Sequence, residues 1–218
     1  MALERDDGSP RWRHELGDDQ ILVSSAVVDG VAFLVTFDRI VAVADGDEQW
    51  RWPFDEGDAD SQTEIAGVTS DHLLVAARND RHEYRLAAFD IVTGDRDWVL
   101  APITHPNVEF GPQTAVHDGT VYLGTDRLRA FDAATGTENW GVTADAGPIQ
   151  SLTVAESSPG GHAVFVHAGG NHLAAFTPNG DRAWQGSVDG SIKNYIVDDS
   201  VYVATDEALY ALERPPDF

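Results

Sequence analysis

The feature that most constrains this chain is a spacing. Five of its six tryptophans, Trp12, Trp50, Trp98, Trp140 and Trp184, have a glycine four residues earlier, at Gly8, Gly46, Gly94, Gly136 and Gly180. Longer words recur around them: "IVAVADGDEQW" ends at Trp50, "LAAFDIVTGDRDW" at Trp98, "LRAFDAATGTENW" at Trp140 and "LAAFTPNGDRAW" at Trp184. Repetition of this kind means that one supersecondary unit is built several times over and that each copy needs its neighbours to complete a core.

The interval decides which unit it is. Successive repeat tryptophans lie 38, 48, 42 and 44 residues apart, the length of a four-stranded propeller blade and too long for a leucine-rich or ankyrin unit. Within each interval the apolar runs are short and split by turn residues: Asp29-Gly30, Asp71-His72, Asp118-Gly119, Pro159-Gly160-Gly161 and Asp199-Ser200. Asp-Gly between two apolar runs is the strongest short hairpin signal. The runs that follow, "VAFLVTF", "LLVAAR", "VYLGT", "AVFVHAG" and "VYVAT", are rich in the β-branched and aromatic residues that suit strands. No segment has a convincing helical period, so the expected class is all-β.

Charge and composition narrow the setting. The chain has 37 acidic residues against 14 basic ones, a net charge of −23, and Lys193 is its single lysine. Such a surface repels nucleic acid and anionic lipid, so neither is expected as a partner. Dense carboxylates with little lysine point to a salt-loving source such as a haloarchaeon, where screening makes like-charge repulsion cheap. The absence of cysteine excludes disulfides, thiolate metal sites and a cysteine nucleophile. No apolar run approaches the length of a membrane span, and the first twenty residues lack a signal-peptide core, so a soluble cytoplasmic protein is expected.

The repeated words have a mechanical meaning. In Ala130-Phe131-Asp132 the small residue permits close packing, the aromatic fills the opposite face and the aspartate accepts backbone hydrogen bonds where the turn begins. Gly136 supplies the positive φ that closes the turn. Trp140 then opens the outer strand, with its ring buried between this blade and the next and its indole N–H bonded to a turn. On these residues the chain resembles the tryptophan-docking repeat of the PQQ-like, quinoprotein-type β-propellers, from Gly8 to Leu212. The resemblance implies the fold; it is weak for function, because enzymes, assembly scaffolds and sensors share the repeat. Ala44 and Thr177 stand where the motif has aspartate.

The two ends complement each other. "VYVATDEALYAL" (Val201 to Leu212) stops short of a Gly-x-x-x-Trp, whereas Gly8 to Trp12 supplies that element alone. Joining them gives a composite blade without free sheet edges. The expectation is a single domain over residues 1–218: a five-bladed propeller of four-stranded blades, closed by the N- and C-terminal segments. An open or oligomerising array is the alternative.

Chemistry is sparse. The resemblance implies that a working quinoprotein holds PQQ over calcium, against a tryptophan and a vicinal disulfide, in a chain more than twice this length; without cysteine no cofactor is expected. The histidines at 14, 72, 82, 105, 117, 162, 167 and 172 show no metal-binding spacing, and His162 and His167, five apart on one strand, face opposite ways. They read as surface or turn residues, so no metal is expected. The acidic segment "FDEGDADSQ" lacks the order of a calcium loop, and no Walker loop, nucleophile elbow or dinucleotide fingerprint occurs.

Two loops stand out on the face where propeller ligands sit. "RNDRHEYR" places Arg78, Arg81, His82, Tyr84 and Arg85 together in an anionic chain, and "THPNVEF" presents His105, Asn107 and Phe110. Arginine and aromatic side chains anchor protein interfaces. The expected function is therefore a non-catalytic scaffold for a protein partner. A small-molecule or sugar-binding propeller and a degenerate quinoprotein are the alternatives.

Overall fold

A computed structural model describes residues 2–17, 20–54, 63–78, 83–104, 113–144, 147–157 and 161–214. Among them every regular element is a β-strand and there is no helix, as the short apolar runs and frequent turn residues require. The strands fall into two compact units, one comprising Met1–Thr104 with Ala134–Gly136, the other His105–Ala133 with Thr137–Phe218.

The first unit opens with β1 (Ala2–Leu3) paired to β2 (Pro10–Trp12). A four-stranded antiparallel meander follows in the order β3 (Leu22–Val28), β4 (Val31–Thr36), β5 (Arg39–Ala44) and β6 (Asp47–Pro53). The next sheet runs β7 (Glu64–Val68), β8 (His72–Arg78), β9 (Glu83–Asp90) and β10 (Arg96–Val99), and β11 (Ile103–Thr104) also pairs with β9.

The second unit holds two further four-stranded meanders. One is β12 (Gln113–His117), β13 (Thr120–Gly124), β14 (Leu128–Asp132) and β15 (Glu138–Val142). The other is β16 (Ser151–Ser157), β17 (Gly161–His167), β18 (His172–Phe176) and β19 (Arg182–Ser187). A three-stranded sheet, β20 (Ile192–Val197), β21 (Ser200–Thr205) and β22 (Leu209–Glu213), completes it.

The pairing departs from the expected composite blade. Pro10–Trp12 lies against Ala2–Leu3, with Ala2 opposite Trp12, and the last sheet has three strands, so the described residues form six sheets without the composite pairing. The reason is local. Glu4 N–H bonds to Ser9 O at 2.8 Å, Gly8 N–H bonds to Glu4 O at 3.0 Å and Gly8 adopts φ +71°. A hairpin closed over so few residues costs little loop entropy, whereas pairing with a distant strand costs more.

The turns follow the sequence signals. Asp29-Gly30 and Asp118-Gly119 both have positive φ at the two central positions, the two-residue hairpin geometry whose twist matches the flanking strands. Asp45-Gly46 does the same at φ +52° and +92°, with Ala44 opposite Asp47. The short loop explains the missing aspartate at Ala44: a two-residue turn leaves no amides for its carboxylate to cap. In the longer turn after β9, Asp90 Oδ1 accepts from the amides of Val92 and Thr93 at 2.9 and 2.7 Å. Those bonds, the Thr93 one foremost, hold its carboxyl below the usual range.

Four of the five repeat tryptophans meet the glycine of the next repeat. A Cβ built on Gly94 would lie 2.5 Å from the Trp50 ring, one on Gly136 2.8 Å from Trp98, one on Gly180 2.8 Å from Trp140, and one on Gly46 3.2 Å from Trp12 Cβ. The indole N–H groups of Trp50 and Trp140 then donate to Ile91 O and Pro178 O at 2.9 and 2.7 Å. Beneath this contact lie apolar cores of facing sheets: Phe33, Val35, Ile40, Leu73, Val75 and Phe89 in the first unit, and Tyr122, Leu128, Ile149, Val164, Val166 and Phe176 in the second.

The glycine serves two ends, positive φ and room for a ring, and substitution separates them. Gly30→Ala meets only the φ penalty, since nothing lies within 4 Å of its Cβ at φ +82°. Gly94→Ala meets the same penalty at φ +76° and displaces Trp50. Denaturant unfolding is expected to show Gly94→Ala less stable than Gly30→Ala by about 1–3 kcal/mol, the cost of overpacking; equal midpoints would remove the docking contact from the account.

Candidate functional site

The arginine loop is shorter than its sequence suggests. Strand β8 continues through Arg78 and β9 resumes at Glu83, with Arg78 opposite Tyr84 and Ala77 opposite Arg85. Tyr84, expected in an exposed loop, is 3 % exposed. Along β9, Tyr84, Leu86 and Ala88 alternate onto a buried face, and the ladder satisfies amides that a loop would leave to water. Of the other residues expected here, Arg81, His82, His105, Asn107 and Phe110 lie outside the described residues.

Arg85 stands in other company. It lines a small cleft of about 80 Å³ in the first unit with Trp52, Phe54, Phe89 and Arg96. The Arg96 guanidinium lies 5.4 Å from the Trp52 ring centroid, and Trp52 meets Phe89 edge-on at 5.4 Å. Register makes this arrangement: Ile40 pairs with Trp52 and Ala42 with Trp50, so both tryptophans share one face of the sheet. Two arginines with an aromatic floor supply apolar area and forked donors together. Trp52, outside the repeat frame, and Arg96, inside a repeat word, were the signals available.

The second unit carries a larger cleft of about 470 Å³. Its floor is apolar, from Val166, Ala168, Leu173 and Ala174, and His172, Arg182 and Gln185 add polar groups. The loop between β17 and β18 shapes one end, with Gly169 and Gly170 at φ +91° and +67°. Asn171 Nδ2 donates to Val188 O at 2.7 Å, which fixes the loop.

The histidines depart most from expectation. His162 and His167 point to opposite sides of β17, as their spacing requires, yet they are only 8 % and 5 % exposed. His162 faces His117, on the neighbouring sheet of the same unit, with ring centroids 4.3 Å apart. Its Nε2 is 2.7 Å from the Tyr122 hydroxyl, and His117 Nε2 is 3.4 Å from Asp118 Oδ2. Burial first, and the neighbouring His117 second, lower the His162 pKa; burial lowers that of His167. Residues forty-five apart in sequence give no spacing signal, and only the register of two sheets joins them.

Comparison with known proteins gives a consistent fold. A family model described as outer membrane protein assembly factor BamB matches residues 1–214. A stretch of the serine/threonine-protein kinase AfsK of Streptomyces griseus is 38 % identical over 95 residues, which span 42 % of this chain and 12 % of the kinase. Among solved structures, BamB from Moraxella catarrhalis aligns over 96 % of this chain and 76 % of its own, at 13 % identity and a TM-score of 0.50. The computationally designed Ika8 protein aligns over 95 % of this chain and 62 % of its own, at 14 % identity and a TM-score of 0.68.

The buried imidazoles set a pH response. Both folded-state pKa values lie below the ordinary value of 6.5, so the unfolded chain binds protons first as pH falls. Their contribution is complete above about pH 6.5 and is lost below it, down through the folded-state values. Thermal melts of metal-free protein are expected to fall between about pH 7 and pH 5, before the carboxylates titrate; a flat melting temperature across that range would contradict the burial of His162 and His167.

Proposed function

Because the chain belongs to the PQQ-like repeat family described as outer membrane protein assembly factor BamB, we propose that it is a non-catalytic propeller scaffold that holds a protein partner. The carrying observation is the cleft that Arg85 lines together with Trp52, Phe89 and Arg96, the last with its guanidinium over the Trp52 ring, in a chain of net charge −23. Cations concentrated at one aromatic floor suit a carboxylate-bearing or aromatic surface on another acidic protein. The family's description is of a factor that assembles other proteins, and the match to part of a kinase supports use of the repeat as a module.

The acidity and near-absence of lysine support a high-salt cytoplasm as the setting. There a purely coulombic contact is screened, and recognition rests on bidentate hydrogen bonding and stacking, which arginine provides and lysine does not. The quinone cofactor after which the fold is named forms no part of this function, since the chain has no cysteine for the vicinal disulfide that the quinoprotein resemblance implies. Five blades closed into a ring remain part of the proposal for the assembled state, with β1–β2 as the element that would have to re-pair.

One observation favours a second reading. The cleft of the second unit, about 470 Å³ with an apolar floor and a few polar groups, has the size and character of a small-molecule site.

Affinity capture from native lysate in molar KCl, comparing wild type with the Arg85→Ala/Arg96→Ala double variant, distinguishes these readings. The scaffold reading expects a specific partner lost from the variant, with each arginine worth about 2 kcal/mol of binding if it is an anchor. Identical bound sets would overturn the cleft, and uptake of PQQ with calcium, seen as quinone absorbance, would overturn the non-catalytic assignment.

A further inference from the structure

A second site, independent of the partner proposal, lies in the second unit where the β12–β13 hairpin meets β17. The donor atoms of His117, Asp118 and His162 all lie within 4.8 Å of one another. Two imidazoles and a carboxylate form the nitrogen and oxygen set that divalent transition metals take, zinc above all. We propose that these three residues bind one such ion, with the chemistry of zinc.

The geometry is close to that of a bound site. A metal about 2.1 Å from each donor in a tetrahedral site sets neighbouring donors roughly 3.4 Å apart, and His117 Nε2 to Asp118 Oδ2 is already 3.4 Å. The remaining gap is closed by small rotations of His117 and Asp118, which are half-buried and exposed respectively. The backbone beneath these side chains is fixed: the Asp118 φ of +45° belongs to the two-residue turn with Gly119, and His117 is held in the ladder opposite Thr120.

The surroundings suit a metal better than a proton. His162 is buried and its ring is oriented by the Tyr122 hydroxyl at 2.7 Å, the kind of outer partner that aims a ligating imidazole. Two imidazoles with centroids 4.3 Å apart repel when protonated, yet as neutral rings they present lone pairs to a shared cation. The charged and titratable groups facing them are Asp118, Tyr122 and Glu156, which lies opposite His162 in the β16–β17 ladder. Water or one of these oxygens completes the coordination. Such an ion would join the β12–β13 hairpin of one sheet to β17 of the next.

The test uses the whole chain, stripped with chelator and titrated with Zn²⁺ or Co²⁺ in excess Mg²⁺, which occupies the general acidic surface. One ion per chain is expected, with visible Co²⁺ absorption of a low-coordinate nitrogen and oxygen site and a raised melting temperature in Zn²⁺. His117→Ala should weaken binding by more than about a hundredfold, beyond the roughly 10–100-fold that the loss of an outer partner costs. Asp118→Asn should weaken it in the same sense, and the exposed control Asp199→Asn should leave it unchanged. His117 and Asp118 are the variants of choice because His162→Ala also opens a cavity. Stoichiometric uptake sensitive to both substitutions supports the site. Absence of uptake by folded wild type, or equal affinity in His117→Ala, would overturn it and leave the histidine pair as a packing contact.

Discussion

The fold depends on one contact, an indole laid on a glycine of the following repeat. Trp50 over Gly94, Trp98 over Gly136 and Trp140 over Gly180 each bring the ring to where a methyl group would sit. Exclusion of a Cβ makes the approach possible, and the indole N–H, bonded to a carbonyl of the same turn in Trp50 and Trp140, gives it direction. A propeller blade is a small sheet with two apolar faces, and alone it could bury neither. The contact therefore links local turn chemistry to the packing of sheets: the φ that closes a turn also clears the surface on which the previous sheet lands.

This coupling explains which residues the sequence made legible. Glycine, tryptophan and the aspartate or threonine that caps the turn recur because each copy solves the same steric problem. Asp90 caps with its carboxylate, and Thr177 does so with Oγ1, 3.2 Å from the Asp181 amide. Strand positions were legible for a similar reason, since the alternation of Tyr84, Leu86 and Ala88 is a local property. Where that alternation continued past a polar word, the strand won: "HEYR" reads as loop by composition, yet Tyr84 is core. At the N-terminus the complementary motif competes with a nearer partner, the hairpin that Pro10–Trp12 makes with Ala2–Leu3.

Pairs set by sheet register were not legible. Trp52 meets Arg96 and His117 meets His162 through strands that follow one another by a whole repeat, and no spacing rule predicts which side chains end up opposed. A histidine next to an Asp-Gly turn and another at the start of a strand look like surface residues one at a time. Burial emerges only when the second sheet packs on the first, and with it come the lowered pKa of His162 and the short bond to Tyr122.

The repeat therefore separates stability from function along the chain. Residues that recur hold sheets together and are constrained wherever they occur; Trp184, whose ring lies against Gly186 of its own strand instead of a following repeat glycine, still buries part of its ring in its own cluster. Residues that interrupt the pattern are relieved of that duty. Trp52 lies outside the Gly-x-x-x-Trp frame, Arg85 belongs to an extended hairpin, and His117 and His162 flank turns that differ from blade to blade. An interior built from identical joints gains nothing from such variation, so the asymmetric residues, far more than the tryptophans that identify the fold, are where selection for a partner or an ion would leave its mark.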